Sequence, residues 1–247
     1  MTHRVHLGGG AVRHPRIGLI LLALLTLEAP GVLAQAPARP NPGIHYIYLV
    51  RHGAYDRDST VDEVTGNGLN ALGHRQAHLI GARLAALPVT PTTFVSSALR
   101  RARETATDMG VEMKRTPTQD SLLSECTPAS IRADGTGNRS SDPATHCDST
   151  LVLAWAKYMT PAAQADRHDV LVCHGNVIRW FVSRALAGDP GHWRDMDIGN
   201  GSLTILAVRP DGTTRLVMFS DVGHLPLSEQ SWSGRGAGWG APETRMR

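Results

Sequence analysis

Two histidines follow apolar strands in the same way. Tyr46 to Val50 runs into Arg51-His52-Gly53, and Val170 to Cys173 runs into His174-Gly175. Near neutral pH an imidazole can act as nucleophile, proton carrier or hydrogen-bond donor. An arginine beside it adds a planar fork of donors that matches an oxyanion. In an open α/β sheet ligands bind at the carboxyl ends of parallel strands, so both histidines are expected in one crevice. One histidine at a strand end is more often a hydrogen-bonded structural residue. Two at equivalent ends, among 12 histidines in the chain, point to a site.

The elements that must position them can be read from periodicity. Ile44 to Val50 is a near-continuous apolar and aromatic run, as expected of a strand buried on both faces. Ala77, Ile80, Leu84 and Leu87 fall at helical spacing, and Pro88 ends that helix. Phe94-Val95 starts a short strand that breaks at Ser96-Ser97, and a polar helix follows from about Ala98 to Met109. Leu151, Trp155 and Met159 mark another helix, stopped near Pro161. Val170 to Cys173 is a second buried strand. Ile178, Phe181, Val182 and Ala185 share one face of a helix that ends at Gly188. Leu203 to Val208 and Thr214 to Phe219 flank Pro210-Asp211-Gly212, a hairpin at a sheet edge. Alternating strands and helices imply an α/β domain with a mostly parallel central sheet, helices on both faces and an antiparallel edge.

Several blocks together resemble a family. Arg51-His52-Gly53 after an apolar strand is similar to the signature of the histidine phosphatase superfamily, with its three-layer phosphoglycerate-mutase-like fold. Ser96-Ser97-Ala98-Leu99-Arg100-Arg101-Ala102-Arg103-Glu104-Thr105-Ala106 resembles its second block, in which the arginine before alanine binds phosphate, here Arg101. Leu122-Leu123-Ser124-Glu125 resembles the block carrying the family's acid, and His174-Gly175-Asn176 that of the second histidine. Within the family, Cys173 to Trp180, Gly199 to Thr204 and Asp221 to Pro226 resemble the mitochondrial phosphoglycerate-mutase-like serine/threonine protein phosphatases. The resemblance spans roughly residues 44 to 230. Two features depart from it: the segment 126 to 148 with its two cysteines, and Ser124 where those phosphatases carry an arginine.

The residue types suit the reaction the resemblance implies, hydrolysis of a phosphate monoester through a phosphohistidine. His52 attacks phosphorus through one ring nitrogen if a backbone acceptor holds the other. Arg51 and Arg101 offer forked donors to phosphoryl oxygens. His174 adds a donor, and the helix opening at Gly175 aims its positive end at the anion. Glu125 protonates the leaving alkoxide and later takes a proton from attacking water. No metal and no cofactor enters any step. Arg100 and Arg103 point away from Arg101 on the same helix. His168-Asp169 mimics the acid dipeptide of the superfamily's other branch but directly precedes a strand. The expected partner is a phosphorylated small molecule or a phosphoprotein. The alternatives are a serine/threonine phosphoprotein phosphatase and a non-catalytic phospholigand-binding module.

Composition bounds the rest. The chain has 247 residues, 41% of them hydrophobic and 19% charged, enough for one packed enzyme-sized domain. Only Lys114 and Lys157 are lysines among 25 basic residues. The basic residues form no dense cluster, so no nucleic-acid partner is expected. Residues 1 to 36 carry Arg4, Arg13 and Arg16, then the apolar stretch Ile17 to Leu27, then Ala34 and Ala36. That order is expected of a signal peptide, and the location it implies is periplasmic or secreted. The apolar stretch is too short to span a bilayer, and a membrane role arises only if the leader is uncleaved. In an oxidising compartment Cys126 and Cys147 become a disulfide candidate, while Cys173 sits in an apolar run as a core residue. The expected organisation is a leader to residue 36, a linker at 37 to 43, the domain at 44 to 227 and a flexible tail at 228 to 247.

Overall fold

The computed structural model describes residues 42–62, 66–131 and 142–232, excepting the Asp142 side chain; the expected leader and most of the linker and tail lie outside them. A six-stranded sheet is built from β1 (His45–Arg51), β2 (Thr93–Ser96), β3 (Thr118–Gln119), β4 (Arg167–Cys173), β5 (Leu203–Val208) and β6 (Thr214–Asp221), in the order β3-β2-β4-β1-β5-β6. The first four strands run parallel, and β5 and β6 add an antiparallel edge. Four helices flank the sheet: α1 (Ala71–Ala85), α2 (Arg100–Met113), α3 (Asp142–Tyr158) and α4 (Gly175–Ala185). Strand alternation divides the core between the two faces. Tyr48, Val50 and Phe94 pack with Ile80 and Leu84 of α1 and Met109 of α2. Ile47, Leu49 and Leu171 pack with Leu151 of α3 and Phe181 of α4 on the other face. The expected fold class is observed.

The register of the central pair positions the site. β1 and β4 pair in parallel with Arg51 opposite Cys173, so the chain leaves both strands level, at His52 and His174. The His52 amide then donates to the Cys173 carbonyl at 3.0 Å. Cys173 is wholly buried and reduced, as its apolar setting implied.

Boundaries differ from the sequence reading where a few polar atoms, rather than a periodic apolar face, decide them. Helix α1 begins at an Asn70 cap, whose side chain accepts from Gly73 N at 2.9 Å. It stops at Ala85, which leaves Leu87 beyond the helix and exposed. Helix α2 runs on past Met109 to Met113 and ends on Lys114 in the left-handed region, φ 53°. The domain also extends past residue 227. Leu227–Glu229 form a 3-10 turn, Gln230 and Ser231 are buried, and Trp232 bridges to Gly199. Gln76, buried on α1, makes this tie: its Nε2 donates to the Glu229 carbonyl at 2.7 Å and to Ser231 Oγ at 3.1 Å. Residues 228–232 are therefore part of the domain and not loose tail.

Cys126 and Cys147 form a disulfide, Cα atoms 5.7 Å apart, which fastens the segment after the 3-10 turn Ser121–Leu123 to α3. Closing a loop of 21 residues restricts the unfolded chain and stabilises the fold by about 3 kcal/mol on the chain-entropy model. Denaturant unfolding with and without reductant should differ by that amount, and coincident midpoints would assign the bridge no stabilising role.

Candidate active site

The nucleophile loop is fixed by backbone approach. A Cβ on Gly53 would lie 2.4 Å from the Gly73 carbonyl oxygen, so the chain passes the first turn of α1 only with glycine there. The next amide, Ala54 N, donates to Gln76 Oε1 at 2.8 Å. Gly53 N donates to Thr105 Oγ1 at 3.0 Å, and that hydroxyl donates to the Arg101 carbonyl at 2.7 Å. Thr105 thus ties the start of α2 to the loop after His52. On the other side Gly201, at φ 64°, donates its amide to the His52 carbonyl at 3.2 Å.

Within this frame the structure brings Arg51, His52, Arg101, Glu125, His174 and Gly175 together. His52 is buried, and its Nδ1 lies 2.8 Å from the Gly53 carbonyl. A carbonyl only accepts, so Nδ1 carries the proton and Nε2 keeps a lone pair. Burial, followed by the charges of Arg51 and Arg101, holds the His52 pKa well below its ordinary value, so the ring stays neutral. The His174 ring lies 5.1 Å from that of His52, centroid to centroid. Its Nε2 is 2.8 Å from Ser97 Oγ, and its buried Nδ1 has no protein partner among the described residues. Burial again leads in depressing its pKa, followed by His52 and the two arginines.

Both arginines are buried. Arg51 donates through Nη1 to the Ile198 carbonyl at 2.5 Å, and burial lowers its pKa to about 10, which leaves it cationic at neutral pH. The Arg101 guanidinium lies over the Tyr55 ring at 5.1 Å, and Tyr55 meets His52 edge to face at 5.3 Å. Glu125 accepts from the Asn176 amide at 3.2 Å, in the first turn of α4. Burial raises its pKa to about 7 even though Arg51, Arg101, Arg179 and that amide all pull it down. A carboxyl poised there gives and takes a proton at physiological pH. The positive end of α4 thus engages Glu125 through Asn176, while Gly175 packs on Arg51, where a Cβ would come 3.4 Å from Nε.

The set aside residues lie elsewhere. Arg100 pairs with Glu104 at 2.7 Å, and Asp169 pairs with His45 and Arg167 toward the opposite end of β4. Asp120, a nearby carboxylate, is held by Lys157 and Tyr158 and stays below the usual carboxylate range despite the opposing effect of burial. Sequence reasoning missed the roles of Tyr55, Ser97, Thr105, Gln76 and Arg179. Arg179 fixes the Glu125 side of the site by donating to Asn176 Oδ1 at 2.6 Å and to the Met196 carbonyl at 3.0 Å. The spacing of Asn176 and Arg179 on one helix face was the available signal for the last of these.

Comparison with known proteins agrees with this geometry. The family model of the histidine phosphatase superfamily (branch 1) matches residues 47–131 and 152–221. The chain belongs to that superfamily. It is 34% identical over 196 residues to the mitochondrial serine/threonine-protein phosphatase Pgam5 of Caenorhabditis elegans, covering 76% of this chain and 66% of that protein. Against the human mitochondrial PGAM5 it is 31% identical over 195 residues, covering 73% and 64%. The chain therefore spans just under two thirds of the length of these relatives. Among solved structures it is similar to the mycobacterial glucosyl-3-phosphoglycerate phosphatase, with a TM-score of 0.55 at 22% identity over 72% of this chain and 99% of that one, a likeness of fold. The expected periplasmic or secreted location is overturned by these relatives, both of which are mitochondrial by name. An arginine-bearing, acid-free start suits organelle import as well as secretion, so the leader's charge pattern does not select export.

Proposed function

We propose that the chain is a phosphomonoesterase that hydrolyses phosphate esters through a phosphohistidine on His52. The observation that carries this reading is the pinned His52 tautomer, which leaves Nε2 its lone pair on a ring that feels the charges of two buried arginines. Nε2 attacks phosphorus as the ester P–O bond breaks. Arg51, Arg101 and His174 hold the phosphoryl oxygens, while Glu125, protonated below about pH 7, gives its proton to the leaving alkoxide. Glu125, now a carboxylate, takes a proton from water as that water attacks phosphorus. The N–P bond breaks, and inorganic phosphate and neutral His52 result. The cations of the chain neutralise the charge throughout, so no step calls on a metal.

A serine/threonine phosphoprotein is the substrate class favoured by the curated relatives. A binding module would need the arginines but neither a fixed lone pair nor a carboxyl titrating near neutrality. Purified protein should turn over phosphoserine peptides and small phosphate esters at the same rate with and without chelator. Inhibition by chelator would sink the metal-independent chemistry, and phosphate binding without turnover would establish the binding module.

A further inference from the structure

A groove of about 510 Å³ opens where α2 crosses the free edge of β3, outside the site just described. Its floor is Ser96 and its register partner Gln119, and its wall includes Arg103 and Thr107, with Lys114 and Arg115 at the far end. Among the described residues no carboxylate lines it. The acids nearest in sequence are committed elsewhere: Glu104 to Arg100, Asp108 to His74, Glu112 to His78, and Asp120 to Lys157. Among the described residues none ion-pairs with Arg103, Lys114 or Arg115, and the one side-chain bond of Arg103 is to the Ala98 carbonyl. Lys114 and Arg115 suit the negative end of the α2 dipole, but that explains neither Arg103 near the start of α2 nor the groove.

A second observation points to a ligand. Ser96 is 1% exposed, and its Oγ has no hydrogen-bond partner. Strand alternation puts that hydroxyl on the α2 side, with Phe94, since Val95 packs on the opposite face. A buried hydroxyl without a partner is costly unless something polar reaches it. The floor residue Ser96 also directly precedes Ser97, whose Oγ lies 2.8 Å from the His174 ring, which puts the groove within a short peptide's length of the catalytic cluster. Arg103 and Lys114 are eleven residues apart, about 16 Å along the helix, the reach of about five residues of extended chain. A single small anion cannot meet both ends, whereas an acidic peptide can.

We infer that this groove receives an acidic segment flanking the phosphorylated residue of a protein substrate, with carboxylates on Arg103, Lys114 and Arg115. The inference rests on the phosphoprotein reading above. Its test compares a phosphoserine peptide carrying aspartates on both flanks, its asparagine counterpart and nitrophenyl phosphate, using the full chain and a Lys114→Gln, Arg115→Gln variant. The wild type should favour the aspartate peptide by about tenfold in kcat/KM, the scale of three solvent-facing charge contacts, and the preference should shrink with added salt. The variant should lose most of the preference, keeping about twofold from Arg103, and should keep its nitrophenyl phosphate turnover, which also reports an intact fold. Equal wild-type rates on the two peptides would overturn the groove assignment and leave the phosphoprotein reading standing. Turnover of nitrophenyl phosphate with neither peptide hydrolysed would remove that reading and the inference with it. A preference undiminished in the variant, or a variant that changes only its mass in sedimentation, would equally overturn the assignment, the latter by giving the groove to a second copy of the chain.

Discussion

His52→Ala should abolish turnover of every phosphate ester, by roughly four orders of magnitude or more, because the nucleophilic lone pair is removed with the ring. In the wild type, acid-sensitive and alkali-stable labelling by a radioactive phosphoryl donor should appear on His52 and be absent from the variant. The loss should come without unfolding. The ring makes one side-chain hydrogen bond, to the adjacent Gly53 carbonyl, and the strand pairing behind it is unchanged. Labelling that persists in His52→Ala would move the nucleophile to His174, whose ring lies 5.1 Å away.

The second large effect belongs to Glu125, and it depends on the leaving group. A serine or sugar alkoxide is strongly basic and leaves poorly without a proton, whereas nitrophenolate leaves unaided. General acid catalysis is typically worth about 10² to 10⁴-fold, so Glu125→Gln should slow enzyme phosphorylation by alkyl phosphates on that scale and spare phosphorylation by nitrophenyl phosphate. Single-turnover measurement is required, because the same carboxylate assists hydrolysis of the phosphohistidine and would slow both substrates at steady state. The pH dependence has a fixed sign. With a pKa raised to about 7, Glu125 holds its proton below that pH, so kcat/KM for an alkyl phosphate should fall above it. The ester's own second ionisation, near about 6, is complete by then, which isolates the enzyme's group. Equal losses on both substrates would make Glu125 a structural residue. Asp120, the carboxylate nearest in sequence before Glu125, would not replace it, because it is tied up by Lys157 and Tyr158.

What the sequence made legible follows from where its signals are periodic. Apolar runs ending in His52 and His174 identify two parallel strands, and the β1–β4 register alone then brings the histidines together. The acid was visible as a short block, but its pKa was not, since burial of Glu125 depends on α4 and the loop bearing Cys126. Gln76, Thr105 and Tyr55 were invisible because each acts through a pairing that no spacing encodes, such as Gln76 with Glu229 and Ser231. The end of α2 was misread for a similar reason. No glycine or proline stops the helix there, and Lys114 adopts the left-handed turn against its own preference.

The Gln76 knot also dictates the order in which the site can be completed as the chain folds. Its Oε1 steadies the loop after the nucleophile, and its Nε2 is held by residues 229 and 231, which lie 153 and 155 positions further along the chain. Asn200, one residue before the glycine that grips the His52 carbonyl, is likewise bonded to Ser231. The central strands can pair without residues 229 to 231, yet both supports of the nucleophile need them. Rigidity of the nucleophile loop is thereby a product of long-range closure of the chain rather than a property of its own strand.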